Sequence, residues 1–270
     1  DLAWRGLRVV LSTAVFLCAS CNSGVSKFEL LAELHGPEAD FIRKVAVDAH
    51  DDTYVLGDCD ATCTFSTIAG QSRVLEVVQT TIYGPGGDLF AARIDREGNI
   101  KWFISGRGPG QEMGQDVVVL DNGTVVLTAD FTGTVTLEGS DGGTVDSVGN
   151  DSSTTLVAML SGDGVIERTL TISGVSSPSS LSRLPVGSVL VAGDFRDTIT
   201  FPESGKGTAS LSSRGGSDSY MMEVTPEGEV SWWVQAGGPG SSLTLFAGAL
   251  SDEQMLFSQF FSVSSDVVSE

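Results

Sequence analysis

Basic side chains and histidine are scarce in this sequence. Against 35 acidic residues it has 15 lysines and arginines, which leaves a formal net charge of −20 at pH 7. A surface of this sign repels phosphates, so the composition argues against a nucleic-acid partner. His35 and His50 are the only histidines, and neither stands in a nucleophile or metal-protease motif. We therefore expect a protein without a catalytic constellation.

Long apolar runs are also missing. Residues 9–20 form a run of 12 mostly apolar residues that follows Arg5 and Arg8. A membrane-spanning helix needs about 20 such residues, so this run is too short to cross a bilayer. A basic region followed by a short apolar run is typical of a secretory signal. We predict that residues 1–20 are a signal peptide.

The end of this segment, Ala19-Ser20-Cys21, resembles the lipobox of bacterial lipoproteins. The resemblance implies cleavage before Cys21, lipidation of its side chain and a tether over residues 21–27. It also implies a place in the bacterial cell envelope, as an outer membrane lipoprotein or at the periplasmic or cell surface. More than one acyl chain gives stable anchoring, so the membrane would be reached through lipid only. An ordinary signal peptide with an incidental cysteine is the alternative.

Cysteine is nearly absent from the rest of the chain, where Cys59 and Cys63 are the only two. Exported proteins favour disulfides, and we predict one between these residues. A lone cysteine pair is a poor zinc site because zinc usually takes four ligands. We predict no metal centre and no cofactor, with calcium as the one candidate ion considered below.

Glycine is abundant, with 33 residues, and it marks the turns of a repeat. Residues 88–110 recur 130 positions later as 218–240, and residues 154–170 are a weaker copy. Each copy reads as a strand, a glycine turn and a second strand. We expect the aligned aromatic residues to belong to the core of the repeat and to pack between repeats. They are Phe90 with Tyr220, and Trp102 with Trp232.

A second module alternates with this hairpin, at residues 45–65, 117–137 and 181–201, with a partial copy at 246–260. One turn position holds Asp51, Gly123, Gly187 and Glu253; a later position holds Cys59, Phe131, Phe195 and Phe260. The later positions are spaced by 72, 64 and 65 residues. Such a period is typical of stacked or radial repeats.

The two modules together supply four main strands per repeat. Four-stranded blades set radially make a β-propeller, whereas a β-sandwich needs no such repeat and a β-solenoid has a shorter one. We predict an all-β, propeller-type repeat domain over residues 28–270, an incomplete arc of about three and a half blades. Complete blades are expected near 40–106, 113–174 and 177–238, and a partial blade at 243–270. Residues 28–34 are predicted to be the last strand of a preceding blade, and the natural protein is expected to continue past Glu270.

The alternating pattern resembles the bacterial seven-bladed-propeller-type repeat (SBBP), common in predicted lipoproteins of myxobacteria and their relatives. The hairpin part is matched by Asp88, Phe90, Ala92, Asp95, Gly98, Asn99 and Trp102. The second part is matched by Val45, Ala46, Val47, Asp48, Tyr54, Val55 and Gly57. The resemblance implies a fold and implies no activity.

Three aspartates recur in register: Asp58, Asp130 and Asp194, with Gln259 in the fourth place. Each ends a predicted strand just before a turn, so we expect all of them on one rim of the array. They are candidates for binding calcium, which prefers oxygen ligands, or for accepting hydrogen bonds from the amides of their own turns.

The function favoured by these patterns is an exported lipoprotein with a non-catalytic propeller that presents loops to a protein or glycan. One alternative is an exported propeller enzyme, either a glycan-active hydrolase or lyase or a quinoprotein. For the latter, the Asp95, Gly98 and Trp102 spacing is similar to the tryptophan-docking repeats of quinoprotein dehydrogenases. A spacer without a specific ligand is the third hypothesis.

Overall fold

Strands make up the regular structure of this chain. The computed structural model describes residues 12–18, 28–77, 87–184, 187–251, 254–261 and 266–269, and this part of the chain contains no helix. It accordingly holds no helix long and apolar enough to cross a membrane. The predicted all-β class is confirmed. The strands are β1 (Ser12–Cys18), β2 (Phe28–His35), β3 (Asp40–Val47), β4 (Thr53–Cys59), β5 (Cys63–Thr67), β6 (Ser72–Leu75), β7 (Asp88–Ile94), β8 (Ile100–Arg107), β9 (Glu112–Val119), β10 (Val125–Phe131), β11 (Thr134–Glu138), β12 (Thr144–Val148), β13 (Thr154–Leu160), β14 (Ile166–Arg183), β15 (Val189–Glu203), β16 (Gly207–Ser212), β17 (Asp218–Val224), β18 (Val230–Gly237), β19 (Ser242–Ser251), β20 (Gln254–Phe261) and β21 (Asp266–Ser269).

Three antiparallel groups of four strands follow one another along the chain. Sheet 1 consists of β3, β4, β7 and β8, each paired with the next. Sheet 2 consists of β9, β10, β13 and the first half of β14. Sheet 3 consists of the second half of β14, the first half of β15, then β17 and β18. Because β14 runs on from one sheet into the next, sheets 2 and 3 share a continuous strand.

The turns between first and second strands agree with the register found in the sequence. Asp51, Gly123 and Gly187 all have positive φ, at 66°, 85° and 82°. Glycine reaches this conformation without steric cost, and aspartate is one of the few other residues that tolerate it. The same turn therefore recurs in three repeats. Glu253, the fourth residue of this set, lies outside the described residues.

The sheets are stacked face to face, so their strands are buried on both sides. Every residue of β4, β10 and β13 is buried. Alternate side chains point to opposite faces of a strand. Accordingly, Tyr54 and Leu56 join a cluster with Val125 of sheet 2, while Val55 joins one with Leu31 of β2. A further cluster joins sheets 2 and 3.

Each repeat also contains an additional hairpin that the four-strand prediction lacked. In the second repeat, β11 and β12 follow β10 but pair with β8 of sheet 1, placing Leu137 opposite Gly106. In the same way β5 pairs with β2, and β21 pairs with β18. Each repeat therefore adds strands to the sheet of the repeat before it. The sequence signal was present in the alternating residues 134–138 and the glycine turn that follows them.

The N-terminal strands extend this pattern backwards. The prediction that residues 28–34 form a strand is confirmed by β2. On its other side β2 pairs with β1, which lies within the predicted signal peptide. In position, β1 and β2 match the third and fourth strands of a sheet. Cys21 and the tether at 21–27 lie outside the described residues, so the signal peptide and lipidation stay predictions.

The predicted disulfide between Cys59 and Cys63 is confirmed. It joins the end of β4 in sheet 1 to the start of β5, which belongs to the neighbouring sheet of β2. At the same repeat position the second repeat has Phe131 and Val135, both fully buried. The covalent bond thus stands where another repeat uses an apolar contact.

Candidate functional site

The first strands of successive sheets lie side by side and share one irregularity. These strands are β3, β9 and the second half of β14. Their pairing with the second strand shifts at Arg43, Gln115 and Ser179, one residue in each repeat. A β-bulge of this kind re-aims the side chain that it carries. In the first two repeats the side chain turns to the aspartate at the end of the second strand.

That aspartate set forms what we call the acidic rim: Asp58, Asp130 and Asp194. Arg43 binds Asp58 through Nε at 2.7 Å and Nη2 at 3.0 Å, and Gln115 Nε2 donates to Asp130 at 2.8 Å. Asp58 and Asp130 lie one residue before the ends of β4 and β10, as predicted, but β15 runs on past Asp194 to Glu203, so the strand end predicted there is wrong. The side chain of Gln259 in β20 lies outside the described part of the chain.

The acidic rim connects neighbouring repeats. The Ser177 hydroxyl, in the first strand of sheet 3, donates to Asp130 at 2.9 Å. The Thr244 amide, in β19, donates to Asp194 at 2.7 Å. These bonds run to the next repeat, whereas the sequence suggested bonds to the amides of each residue's own turn. Tertiary packing supplies donors that local turn chemistry does not reveal. Calcium binding by this set stays a prediction.

Burial shifts the acidic rim towards its protonated form. It raises the pKa of Asp130 to about 7, although hydrogen bonds from Ser177 and Gln115 act in the opposite direction. The pKa of Asp58 is also raised by burial, against the effect of Arg43, and that of Asp194 is raised in the same way. A carboxyl that titrates near neutral pH is the kind of group that can exchange protons in a reaction.

A second pair of carboxyl groups lies at the junction of sheets 1 and 2. Asp88 begins β7, Glu112 begins β9, and both are 0% exposed. Burial and then the charge of the neighbouring Asp88 raise the pKa of Glu112 to about 9. Glu112 therefore holds its proton at neutral pH. Nothing in the local sequence distinguished Glu112 from a surface carboxylate, because its burial depends on the neighbouring sheet.

Of the four aromatic residues singled out in the sequence, Phe90, Trp102 and Tyr220 lie in the interior, whereas Trp232, in the described part of the chain, packs only on its own sheet. Phe90 and Tyr220 are fully buried, and Trp232 is partly buried against the outer face of sheet 3. Trp102 of sheet 1 reaches sheet 2, where its indole Nε1 donates to the carbonyl of Gly162 at 2.9 Å. A Cβ on Gly164 would lie 2.7 Å from the indole ring, so this turn needs glycine to admit the tryptophan.

At the opposite end of the strands from the acidic rim, the turns of neighbouring repeats enclose a cleft. We call it the turn cleft; its volume is about 700 Å³ and its lining includes Val47, Asp48, His50, Leu120, Asn122 and Arg183. The Asp48 carboxylate is occupied within the turn, where it accepts hydrogen bonds from the amides of His50 at 2.8 Å and Asp52 at 3.0 Å.

Arg183 crosses the mouth of the turn cleft. Its Nη1 donates to the carbonyl of Val119 and to Asp121 Oδ1, each at 3.3 Å. The Arg183 side chain is 58% exposed, so further guanidinium N–H groups face solvent. With the Asn122 amide and the His50 imidazole, the cleft offers donors and acceptors beside the apolar side chain of Val47. Such a mixture suits a hydroxyl-rich or peptide ligand.

Comparison with protein-family models and with curated proteins found no match. Comparison of folds found several solved structures, among them the following three. A protein of unknown function from Bacteroides caccae has 13% identity and a TM-score of 0.25, covering 76% of this chain and 85% of that one. A streptogramin B lyase has 8% identity and a TM-score of 0.23, covering 86% and 98%. A virginiamycin B lyase from Staphylococcus aureus has 9% identity and a TM-score of 0.23, covering 87% and 99%. At these TM-scores the resemblances carry no argument.

Proposed function

We propose that this chain is an exported, lipid-anchored scaffold of β-propeller type whose turn cleft binds a glycan or a protein loop. The propeller assignment is supported by the face-to-face stacking of sheets 1, 2 and 3, which have the same strand order and the same turns. Radial stacking of such sheets leaves only short edges exposed. On this interpretation the first strands line the hub.

The observation that carries the binding role is where the polar groups lie. In the turn cleft, Arg183 and His50 keep exposed donors beside Asn122. In contrast, the carboxyl groups with raised pKa values, Asp130 and Glu112, are buried between sheets, and Asp130 is hydrogen-bonded there. A ligand from solution meets the first set directly, so the site fits recognition better than catalysis.

Export is supported by the disulfide between Cys59 and Cys63, because such bonds persist mainly in oxidising compartments. The segment that ends at Cys21 is the proposed export signal, and lipidation of Cys21 accounts for membrane attachment without a spanning segment.

Lipid labelling tests the proposed lipidation. Cells that express the chain with an alkyne fatty acid should label the protein, and Cys21→Ala should abolish the label and release the protein from membranes. Cys18→Ala is the matched control and should keep both; label retained in C21A contradicts the proposal.

Binding is tested with a glycan array and with pull-down of envelope proteins on the full chain. For any ligand retained, Arg183→Ala should weaken binding about tenfold, as expected for loss of one or two hydrogen bonds from a charged group. Arg196→Ala is the matched control because Arg196 is exposed and lies near the acidic rim, at the opposite end of the strands. Failure to retain any ligand, or an equal loss in R196A, contradicts this assignment.

The second candidate is an exported enzyme, and the observation that favours it is Asp130. Its pKa of about 7 and its hydrogen bond with Ser177 suit a group that takes and returns a proton. Turnover on a polysaccharide panel that disappears in Asp130→Asn would establish this candidate. Absorbance of a bound quinone would indicate the quinoprotein form.

A further inference from the structure

One apolar face of β3 is open where its counterparts are covered. Val45 and Val47 are 39% and 54% exposed, whereas Val117 and Val119, at the same repeat positions in β9, are 3% and 7% exposed. In the third repeat, Leu181 stands at the position of Val45 and is also buried. At the position of Val45 the side chain is apolar in all three repeats, so the difference there lies in what covers it; at the position of Val47 the third repeat has the exposed Arg183.

In sheet 2 the cover is a hairpin from the preceding repeat. Val117 and Val119 pack in one cluster with Tyr54 and Leu56, and β9 contacts both β3 and β4. In sheet 3 the same face of β14 contacts β9 and β10. Twice in this molecule, therefore, the face is covered by the first and second strands of the neighbouring sheet. The open face of β3 carries Val45 at the position that such a hairpin covers in the other two sheets.

The strand orders identify which hairpin fits. Sheet 1, with its added hairpin, has the order β3-β4-β7-β8-β11-β12. Next to β3, the N-terminal sheet has the order β1-β2-β5-β6 and so contains counterparts of the last four positions only. The strands β19 and β20 form a two-stranded sheet and have the register of a first and second strand. Placed before β1, they would reproduce the full order.

These complementary halves lie at opposite ends of the stack. The hairpin of β19 and β20 packs on sheet 3, through β14, β15 and β17, whereas β1 and β2 contact β3. We propose that the β3 face binds the β19–β20 hairpin of a second copy of this chain. Such a contact joins different surfaces head to tail, and it generates rings or open chains of subunits. Cleavage before Cys21 removes β1, so the match of strand order applies to the uncleaved chain, whereas the open face of β3 is present in both forms.

Sedimentation velocity of the full chain over a wide range of concentrations tests this proposal. The weight-average mass should rise above the 28.1 kDa of one chain as the concentration increases. Val45→Lys should raise the dissociation constant by about tenfold or more, because its charge would have to leave water at the interface. Val47→Lys is the second variant of the same face; because Val47 also lines the turn cleft, only a loss that Val45→Lys shares counts for this contact. Val148→Lys is the control, since Val148 is 67% exposed on β12, away from β3, and it should leave association unchanged.

Far-UV circular dichroism should show that each variant keeps the β-sheet spectrum, as expected for substitutions at exposed positions. Hydrogen exchange should show amides of β3 that become protected as the mass increases. A chain that stays monomeric at every concentration overturns the proposal; if its β3 amides are nevertheless protected, the hairpin closes within one chain. Association that V47K and V45K leave unchanged, or that V148K weakens equally, overturns it as well.

Discussion

The junction of sheets 1 and 2 has the same backbone arrangement as the junction of sheets 2 and 3, but the two junctions contain different polar side chains. In the first, two carboxyl groups meet, Asp88 and Glu112, and one of them holds a proton. In the second, Ser176 takes the place of Glu112, and its hydroxyl accepts a hydrogen bond from the Thr155 amide at 3.1 Å. The backbone geometry is repeated, but only the first junction depends on protonation of a buried pair. Repetition of a fold thus leaves the polar interior of each junction free to differ.

The same contrast appears at the glycine turns. Trp102 enters the turn at Gly164, whereas the side chain of Arg168 lies against the equivalent Gly228, with its Cβ 3.6 Å from a Cβ placed on that glycine. Trp102 is buried and Arg168 is exposed. The first junction therefore owes more of its stability to apolar contact than the second.

The largest expected effect is that of Trp102→Ala. Loss of a buried tryptophan leaves a cavity, and the free energy of unfolding should fall by about 3–5 kcal/mol. Urea denaturation measures this. Arg168→Ala is the matched change in the second junction and should cost no more than about 0.5 kcal/mol because it is exposed. Equal losses in W102A and R168A would remove the contrast between the junctions.

Next in size is the pH dependence that Glu112 gives to the first junction. Its folded pKa of about 9 lies above the ordinary 4.5, so the folded chain holds a proton that the unfolded chain has lost. The stabilising contribution is fully present below the ordinary value and is lost as pH rises through about 9, with a total on the order of a few kcal/mol. Melting temperature should fall across this window in the parent protein and fall less in Glu112→Gln.

Asp130→Asn provides the control for that experiment. The pKa of Asp130 rises from 3.8 to about 7. D130N should therefore reduce the fall in melting temperature between these two pH values and leave the fall above neutral pH unchanged. Parallel curves for the parent and E112Q would mean that Glu112 is ionised in the folded protein.

Reduction of the disulfide should have a smaller effect. The cross-link spans a sequence separation of 4, and closing so short a loop stabilises by less than the roughly 3 kcal/mol of a fifteen-residue loop. A reducing agent should lower the melting temperature of the parent slightly and leave a Cys59→Ala, Cys63→Ala double variant unchanged. Unfolding of the whole chain on reduction would show that Phe131 and Val135 are not an adequate counterpart in the second repeat.

The smallest effect is expected for Ser176→Ala, at about 1–2 kcal/mol for the loss of two hydrogen bonds, one accepted from the Thr155 amide and one donated to the Ile172 carbonyl. Because Ser176 does not titrate, the loss in S176A should be the same at every pH between the values used for Glu112. Chemical denaturation at both ends of that range measures it. A loss that changes with pH would mean that Ser176 is coupled to Asp130, the titrating carboxyl of this junction.

The sequence predicts the local features of this fold and misses those that depend on a neighbouring repeat. Strands and turns follow from apolar runs and from residues such as Gly123 and Gly187, whose backbone conformation is set by their own chemistry. The partner of β11 is β8 rather than a strand of its own sheet, and periodicity carries no information about that choice. Likewise, the local sequence predicts that Asp130 accepts hydrogen bonds from its own turn, whereas the hydroxyl of Ser177 in the next repeat donates to it.

The added hairpins have a consequence for how the chain matures. The outer strand of each sheet, such as β8, stays bare until the following repeat delivers β11 to its edge. A chain exported with its N-terminus first would thus expose one unpaired strand edge. The position of that edge would move along by one repeat each time a further repeat folds. Chaperones of the receiving compartment would meet that moving edge, because bare strands invite pairing with other chains. A deletion that starts after β12 and ends after β16 would remove one whole repeat. The strand edges on either side of the deletion would then pair with each other's sheets as before.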